Sequence, residues 1–185
     1  MSEVEQKKVR KSIKLDVAEN SVFKQFSTQL LSGMCERMRE TYNASQLHEF
    51  LKERFEFFKE ATRLSGMVGV KPCQPFSYSQ AETPFNGHVI VEISAPDAPY
   101  IVVTVEAVMR KMNILIHRKL HPIMGVVLSA EKELEEVILP EENTENFDHL
   151  YLEIEADTDI VLLRRIETMI AGHLLAVHLV HNHRK

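Results

Sequence analysis

Between His88 and Ser129 the hydrophobic period of this chain changes twice, and that change constrains its fold more than any other feature. From His88 to Ser94, Val89, Val91 and Ile93 alternate with His88, Ile90 and Glu92, the pattern of a strand with one apolar face. Pro96-Asp97-Ala98-Pro99 stops that strand and places Asp97 to cap whatever helix follows. From Pro99 to Met112, the residues Ile101, Val102, Val105, Val108, Met109 and Met112 form the wide stripe of a helix lying on a sheet. Asn113 ends it. Ile114-Leu115-Ile116 opens a second strand, His121-Pro122 interrupts it at an edge or bulge, and Ile123 to Leu128 resumes it. Strand, turn, helix and returning strand are the opening half of a split βαβ sandwich.

The remaining segments attach to this unit. Phe23, Phe26, Leu30, Leu31, Met34, Met38 and Tyr42 keep helical spacing from Val22 to Tyr42, with Gly33 as a weak point inside. Asn43-Ala44-Ser45-Gln46 is a helix-start signature, and Leu47, Phe50, Leu51, Phe57, Phe58, Ala61 and Leu64 stripe a second helix to about Leu64. Two amphipathic helices on so short a link form an antiparallel hairpin. Its aromatic content (Phe50, Phe55, Phe57, Phe58) exceeds what two helices need, which is explained by core packing or by a docking surface for another domain. From Ser65 to Gly87, glycines and prolines break every period, so a linker is expected over 66–87, with at most an irregular edge strand around Pro72, Cys73, Pro75, Phe76 and Tyr78.

Beyond Ser129, the acidic run Glu131 to Asn146 reads as a solvated loop, in which only Glu135 to Leu139 suits a brief strand. His149 to Glu155 alternates as a third sheet strand. Asp157-Thr158-Asp159 caps a last helix striped by Val161, Leu162, Ile166, Met169, Ile170, Leu174 and Val177. That helix reaches about His178 without a glycine stop, which hints that the chain continues past Lys185. The expected fold class is α+β: an N-terminal helical hairpin followed by a ferredoxin-like βαββα open sandwich, a small antiparallel sheet with helices on one face and no fourth strand in view. The expected organisation is a disordered leader over 1–15, the hairpin over 16–65, the linker, and the sandwich over 88–185.

Composition removes several function classes. A net charge of −5 argues against a nucleic-acid surface, and the one basic cluster, Lys7, Lys8, Arg10, Lys11 and Lys14, lies in the polar leader. No apolar run approaches the roughly 20 residues of a membrane span, and the N-terminus lacks a signal-peptide core. Cys35 and Cys73 are far apart and read as free thiols of a reducing compartment, so a cytoplasmic protein is expected. No nucleophile with a neighbouring base and no phosphate loop is visible along the sequence.

Asp97-Ala98-Pro99-Tyr100-Ile101-Val102-Val103-Thr104-Val105 and Ile116-His117-Arg118-Lys119-Leu120-His121-Pro122-Ile123 resemble the N-terminal ACT-like segment of the large NAD-specific glutamate dehydrogenases of bacteria. That segment carries Asp-Met-Pro-Phe-Leu-Val-Asp-Ser-Val, a helix, and Ile-His-Leu-Ile-Ile-His-Pro-Val. Tyr42 to Arg63 and Phe147 to Glu155 extend the similarity to most of residues 23–175. Val103 stands where the family has Asp, and Gly125 and Val127 stand where it has basic residues. The resemblance implies a parent that oxidatively deaminates glutamate to 2-oxoglutarate and ammonia with NAD, and a segment here that regulates or assembles it. No dinucleotide fingerprint occurs in this chain, so no cofactor is expected within it, NAD belonging to the parent. Expected partners are further domains of that enzyme or a second copy.

Three candidate sites follow. Ala95, Asp97, Ala98 and Tyr100 form the strand-to-helix turn, where free N–H groups suit an amino-acid carboxylate. ACT-like domains commonly bind ligands there. Against this, Asp97 repels a carboxylate, Pro99 lacks a donor, and capping is the simpler role. His117 and His121 sit about 13 Å apart along a strand, too far to share an ion, and read as structural. His178 and His181, with His183 near, are spaced to hold an ion on one helix side but have no local carboxylate or cysteine to complete the set. The competing readings are therefore a noncatalytic ACT-like module of a glutamate dehydrogenase, a free-standing amino-acid sensor or dimerisation module, and a histidine-based metalloenzyme.

Overall fold

Phe23, Phe26 and Leu30 share one side of helix α1 (Ser21–Gly33) and are buried. The computed structural model describes residues 21–72, 88–156 and 159–183. The expected single helix to Tyr42 is broken: α1 ends at Gly33, Cys35 is extended and exposed, and a short helix α2 (Glu36–Glu40) follows. At the break the chain packs closely on the sheet, where a Cβ on Gly33 would lie 3.2 Å from the Leu120 side chain. Helix α3 (Ala44–Leu64) starts on the capping box: Asn43 Oδ1 accepts the Gln46 N–H and Gln46 Oε1 accepts the Asn43 N–H, both at 2.9 Å. Ser65 in the left-handed region turns the chain at its end.

Six strands follow: β1 (Met67–Pro72), β2 (His88–Pro96), β3 (Leu115–Leu120), β4 (Ile123–Leu128), β5 (Leu134–Ile138) and β6 (Glu145–Glu155). They form one antiparallel sheet in the order β1-β2-β6-β4-β5. Strand β3 also pairs with β6, opposite its second half, while β4 pairs with its first half. The two are thus one long strand beside β6, interrupted at His121-Pro122, where the Pro122 carbonyl accepts the His149 N–H at 3.0 Å; its β4 half is flanked in turn by β5. Strand β1 lies within the stretch expected to be linker, and fills the place beside β2. Gly69 permits this, because a Cβ there would meet the Phe57 ring at 2.8 Å. Cys73, Pro75, Phe76 and Tyr78 lie outside the described residues.

Helix α4 (Ile101–Lys111) and helix α5 (Ile160–Asn182) cover one face of the sheet. Asp159 caps α5, its carboxylate accepting the Val161 N–H at 3.0 Å; Asp157 and Thr158 lie outside the described residues. The expectation that helices occupy one face only is corrected: α1, α2 and α3 bury their stripe on the opposite face. The side of β2 that alternation left facing solvent is therefore covered, with Ile90 3%, Glu92 2% and Ser94 0% exposed. The extra aromatics of α3 find their receiver here, the sheet of the same chain.

Candidate functional site

The two covered faces hold two distinct clusters. On the α4–α5 face, the β2–α4 turn sits at the rim. Ala95 is buried opposite Asp148 in the β2–β6 register, Ala98 is buried in the core, and Asp97 and Tyr100 are exposed. Asp97 does not cap the helix; its N–H donates to the Asn146 carbonyl at 2.7 Å. The N-cap is Tyr100, in the left-handed region at φ 74°, with no side chain capping the first turn. A bulky residue there is strained by about 1–2 kcal/mol.

Around that turn the fold collects ionisable groups from distant segments. His121 Nε2 lies 2.5 Å from Asp148 Oδ1, and Asp148 is 2% exposed. Asp97 shares a hydrogen bond with Asp148; partial burial first, then the second carboxyl, push its pKa up, while His121 and His181 pull against them. The end of α5 arrives here as well. Burial, then the neighbouring His181, holds the His178 pKa down. No three His, Cys, Asp or Glu side chains among the described residues converge as metal ligands. His117 sits at the bulge of β3, 3.3 Å from Glu155, and is not brought to His121.

On the hairpin face the structure assembles a polar array from segments far apart in the sequence, one that no local pattern of residues marks. Arg54, 1% exposed within the apolar stripe of α3, places Nε 2.8 Å from Glu92 and an NH2 nitrogen 2.9 Å from Glu53. Its guanidinium lies 5.2 Å from both the Phe50 and Tyr151 ring centres. Glu53 also reaches Lys71 at 3.1 Å, tying α3 to β1. His149 Nε2 faces Glu92 at 3.6 Å, and Nδ1 lies 2.6 Å from the Ser94 hydroxyl. Alongside, the Tyr151 hydroxyl donates to Glu153 at 2.9 Å, and Glu153 pairs with Arg118 at 3.4 Å.

Ser94, His149 and Glu92 thus stand in the order hydroxyl, imidazole, carboxylate. A nucleophile beside a base does exist, contrary to the expectation from the sequence, because strand register sets Ser94 directly opposite His149 across 55 residues of chain. Its chemistry is nevertheless closed off. Ser94 and His149 are 0% exposed, and the rings of Phe26 and Phe58 stand edge-on over the imidazole at 5.7 Å each. A relay that no substrate reaches is a structural link. Burial, then Arg54 and His121, push the His149 pKa down to about 3. Burial raises Glu92 to about 7 against the pull of Arg54 and Lys71. Burial opposes the charge on Arg54, and Glu92, Tyr151 and Glu53 more than offset it, so its pKa rises.

An antiparallel sheet with α4 and α5 on one face and an aromatic helical cover on the other, its β2–α4 turn set among acidic and histidine side chains, is an ACT-like α+β sandwich. Residues 26–170 match the family described as glutamate dehydrogenase, ACT1 domain, and the chain belongs to that family. One match spans the hairpin, β1 and the sandwich together. No curated protein and no solved structure matches the chain significantly. Among the described residues, no helix is long and apolar enough to cross a membrane.

Proposed function

We propose that this chain is the noncatalytic regulatory and assembly domain of an NAD-dependent, cytoplasmic glutamate dehydrogenase, the parent reaction converting L-glutamate and NAD to 2-oxoglutarate, ammonia and NADH. The observation that carries this reading is the family match across residues 26–170. On this reading NAD and glutamate turnover belong to domains other than this one. The isolated chain mixed with glutamate and NAD is expected to give no reduced nucleotide by absorbance; sustained turnover would overturn the assignment.

The regulatory ligand we assign is a free amino acid at Ala95, Asp97, Ala98 and Tyr100. Two chemistries adjoin there. The uncapped first turn of α4 offers N–H donors to a carboxylate, and Asp97 offers an oxygen to an ammonium. A carboxylate alone is repelled by Asp97, whereas a zwitterion satisfies both ends. Titration calorimetry with a panel of amino acids is expected to give saturable binding, weakened about tenfold or more by Asp97→Asn, as for loss of one charged hydrogen bond. Heat-silent titrations with every amino acid would remove the ligand from the proposal and leave assembly as the role.

A further inference from the structure

Helix α5 carries two stripes, and the sheet uses one. Leu163, Ile166, Ile170 and Leu174 are buried with the β2 and β6 side chains. On the other side Val161, Arg165, Thr168, Gly172, Leu175 and Leu179 succeed one another at alternating steps of four and three, and all are exposed. Val161, Leu175 and Leu179 expose 69%, 62% and 53% of their surface. A four-three repeat is the spacing of a helix–helix seam, and one charge in six positions is not the composition of a helix side that meets only water.

Gly172 sits at the middle of that seam. Glycine weakens a helix interior relative to alanine, and here the chain gains nothing in return, because a Cβ would meet no atom within 4 Å. The missing side chain makes sense if another helix backbone approaches at that point.

We infer that α5 pairs with α5 of a second copy of this chain, antiparallel and crossing at Gly172. The charge pattern selects a second copy in this orientation. Crossing at Gly172 sets Thr168 opposite Ala176 and Arg165 opposite Leu179 of the other helix. The one cation of the seam then falls in the last turns of its partner, where carbonyls lack N–H donors and the helix dipole is negative. Arg164 follows it there. A parallel pair would instead set Arg165 against Arg165. The contact is isologous, so one twofold axis satisfies both copies. At the C-terminal end of α5, where Asp97 lies near His181, the turn into α4 adds exposed Tyr100 (71%) and Val103 (56%). The seam runs past the residues of the family match from Gly172 onward.

A seam along one helix of 23 residues is about 35 Å long and falls at the small end of stable interfaces, so dissociation in the micromolar range is expected. Sedimentation equilibrium of the full chain should show monomer passing to dimer over that range. Leu175→Lys with Leu179→Lys should remain monomeric throughout with an unchanged melting temperature at low concentration. Gly172→Leu should raise the low-concentration melting temperature yet weaken association at least tenfold. In a Cys35→Ser, Cys73→Ser background, mild oxidation should join Thr168→Cys to Ala176→Cys in mixtures, faster than either joins itself. A chain monomeric at all concentrations, a dimer indifferent to these changes, or Thr168→Cys joining chiefly to itself would each overturn the inference.

Discussion

The two faces of one sheet are built on opposite principles. Toward α4 and α5 the central strands present Val89, Val91, Ile93, Leu150, Leu152 and Ile154, which pack without direction. Toward α1–α3 the same strands present Ile90, Glu92, Ser94, His149, Tyr151 and Glu153, met by Arg54 and a set of phenylalanines. Dispersion and area hold the first face. The second adds an array whose members must each find a partner, since a buried charge left alone is costly. What the contrast teaches is that a strand's alternation reports which face is apolar, and not which face is covered.

The largest expected effect comes from breaking the array at its cation. Arg54→Ala leaves Glu92 without its guanidinium and removes the body sandwiched between Phe50 and Tyr151; a loss of about 3–5 kcal/mol is expected. Arg54→Met with Glu92→Met should cost far less, because no polar atom of the pair is then stranded. Ile93→Ala on the aliphatic face should cost about 2–5 kcal/mol through the cavity it leaves. The comparison sharpens with pH. The Arg54→Ala loss, measured by denaturant unfolding, should be larger at pH 8 than at pH 5, where Glu92 at about 7 is already neutral. The Ile93→Ala loss should be the same at both. Equal pH behaviour of the two variants would sink the distinction between the faces.

A middle-sized effect belongs to the wild-type pH profile. His149 falls from 6.5 to about 3 on folding, so between those values the unfolded chain binds the extra proton and stability rises with pH. Glu92 rises from 4.5 to about 7, so between those values the folded chain binds the extra proton and stability falls with pH. The two slopes cancel from 4.5 to 6.5. A plateau is therefore expected there, with a decline of about 2 kcal/mol from pH 4.5 down to 3 and a smaller one, under about 1 kcal/mol, from 6.5 to 7. Glu92→Gln should abolish the upper decline and leave the His149 slope running from 3 to 6.5. A wild-type profile that rises steadily through pH 5–6 would show that the proton is not exchanged between the two groups.

Much of the fold was legible. The capping box at Asn43, the period-two run into β2, the stripe of α4 and the Asp159 cap of α5 are local patterns whose causes lie within a few residues. Register and coverage are not local. Glu92, Ser94 and His149 alternate with apolar residues as solvent-facing polar residues do, and their partner Arg54 comes from another element. Two signals did point to coverage: the surplus of phenylalanines on α3, and an arginine set between Phe50, Leu51 and Phe58 where the stripe calls for an apolar residue. The cap assigned to Asp97 failed for a related reason. Its N–H is drawn to Asn146 and its carboxyl to Asp148, both on β6, so the helix begins three residues later, on Tyr100.

That displaced start yields the smallest prediction, and the one that bears on the aliphatic face at its rim. Tyr100 is 71% exposed and held at φ 74°, so its ring contributes little packing while its Cβ strains the backbone. Glycine removes about 1–2 kcal/mol of that strain but adds about 0.5–1 kcal/mol of chain entropy to the unfolded state. Tyr100→Gly should therefore stabilise by about 0.5 kcal/mol, a rise of about 1–2 °C in melting temperature for a domain of this size. If the turn holds an amino acid, the same variant should gain its degree or two and lose ligand binding together. Gain without loss would reduce Tyr100 to an ordinary turn residue and shift the ligand proposal onto Asp97 alone.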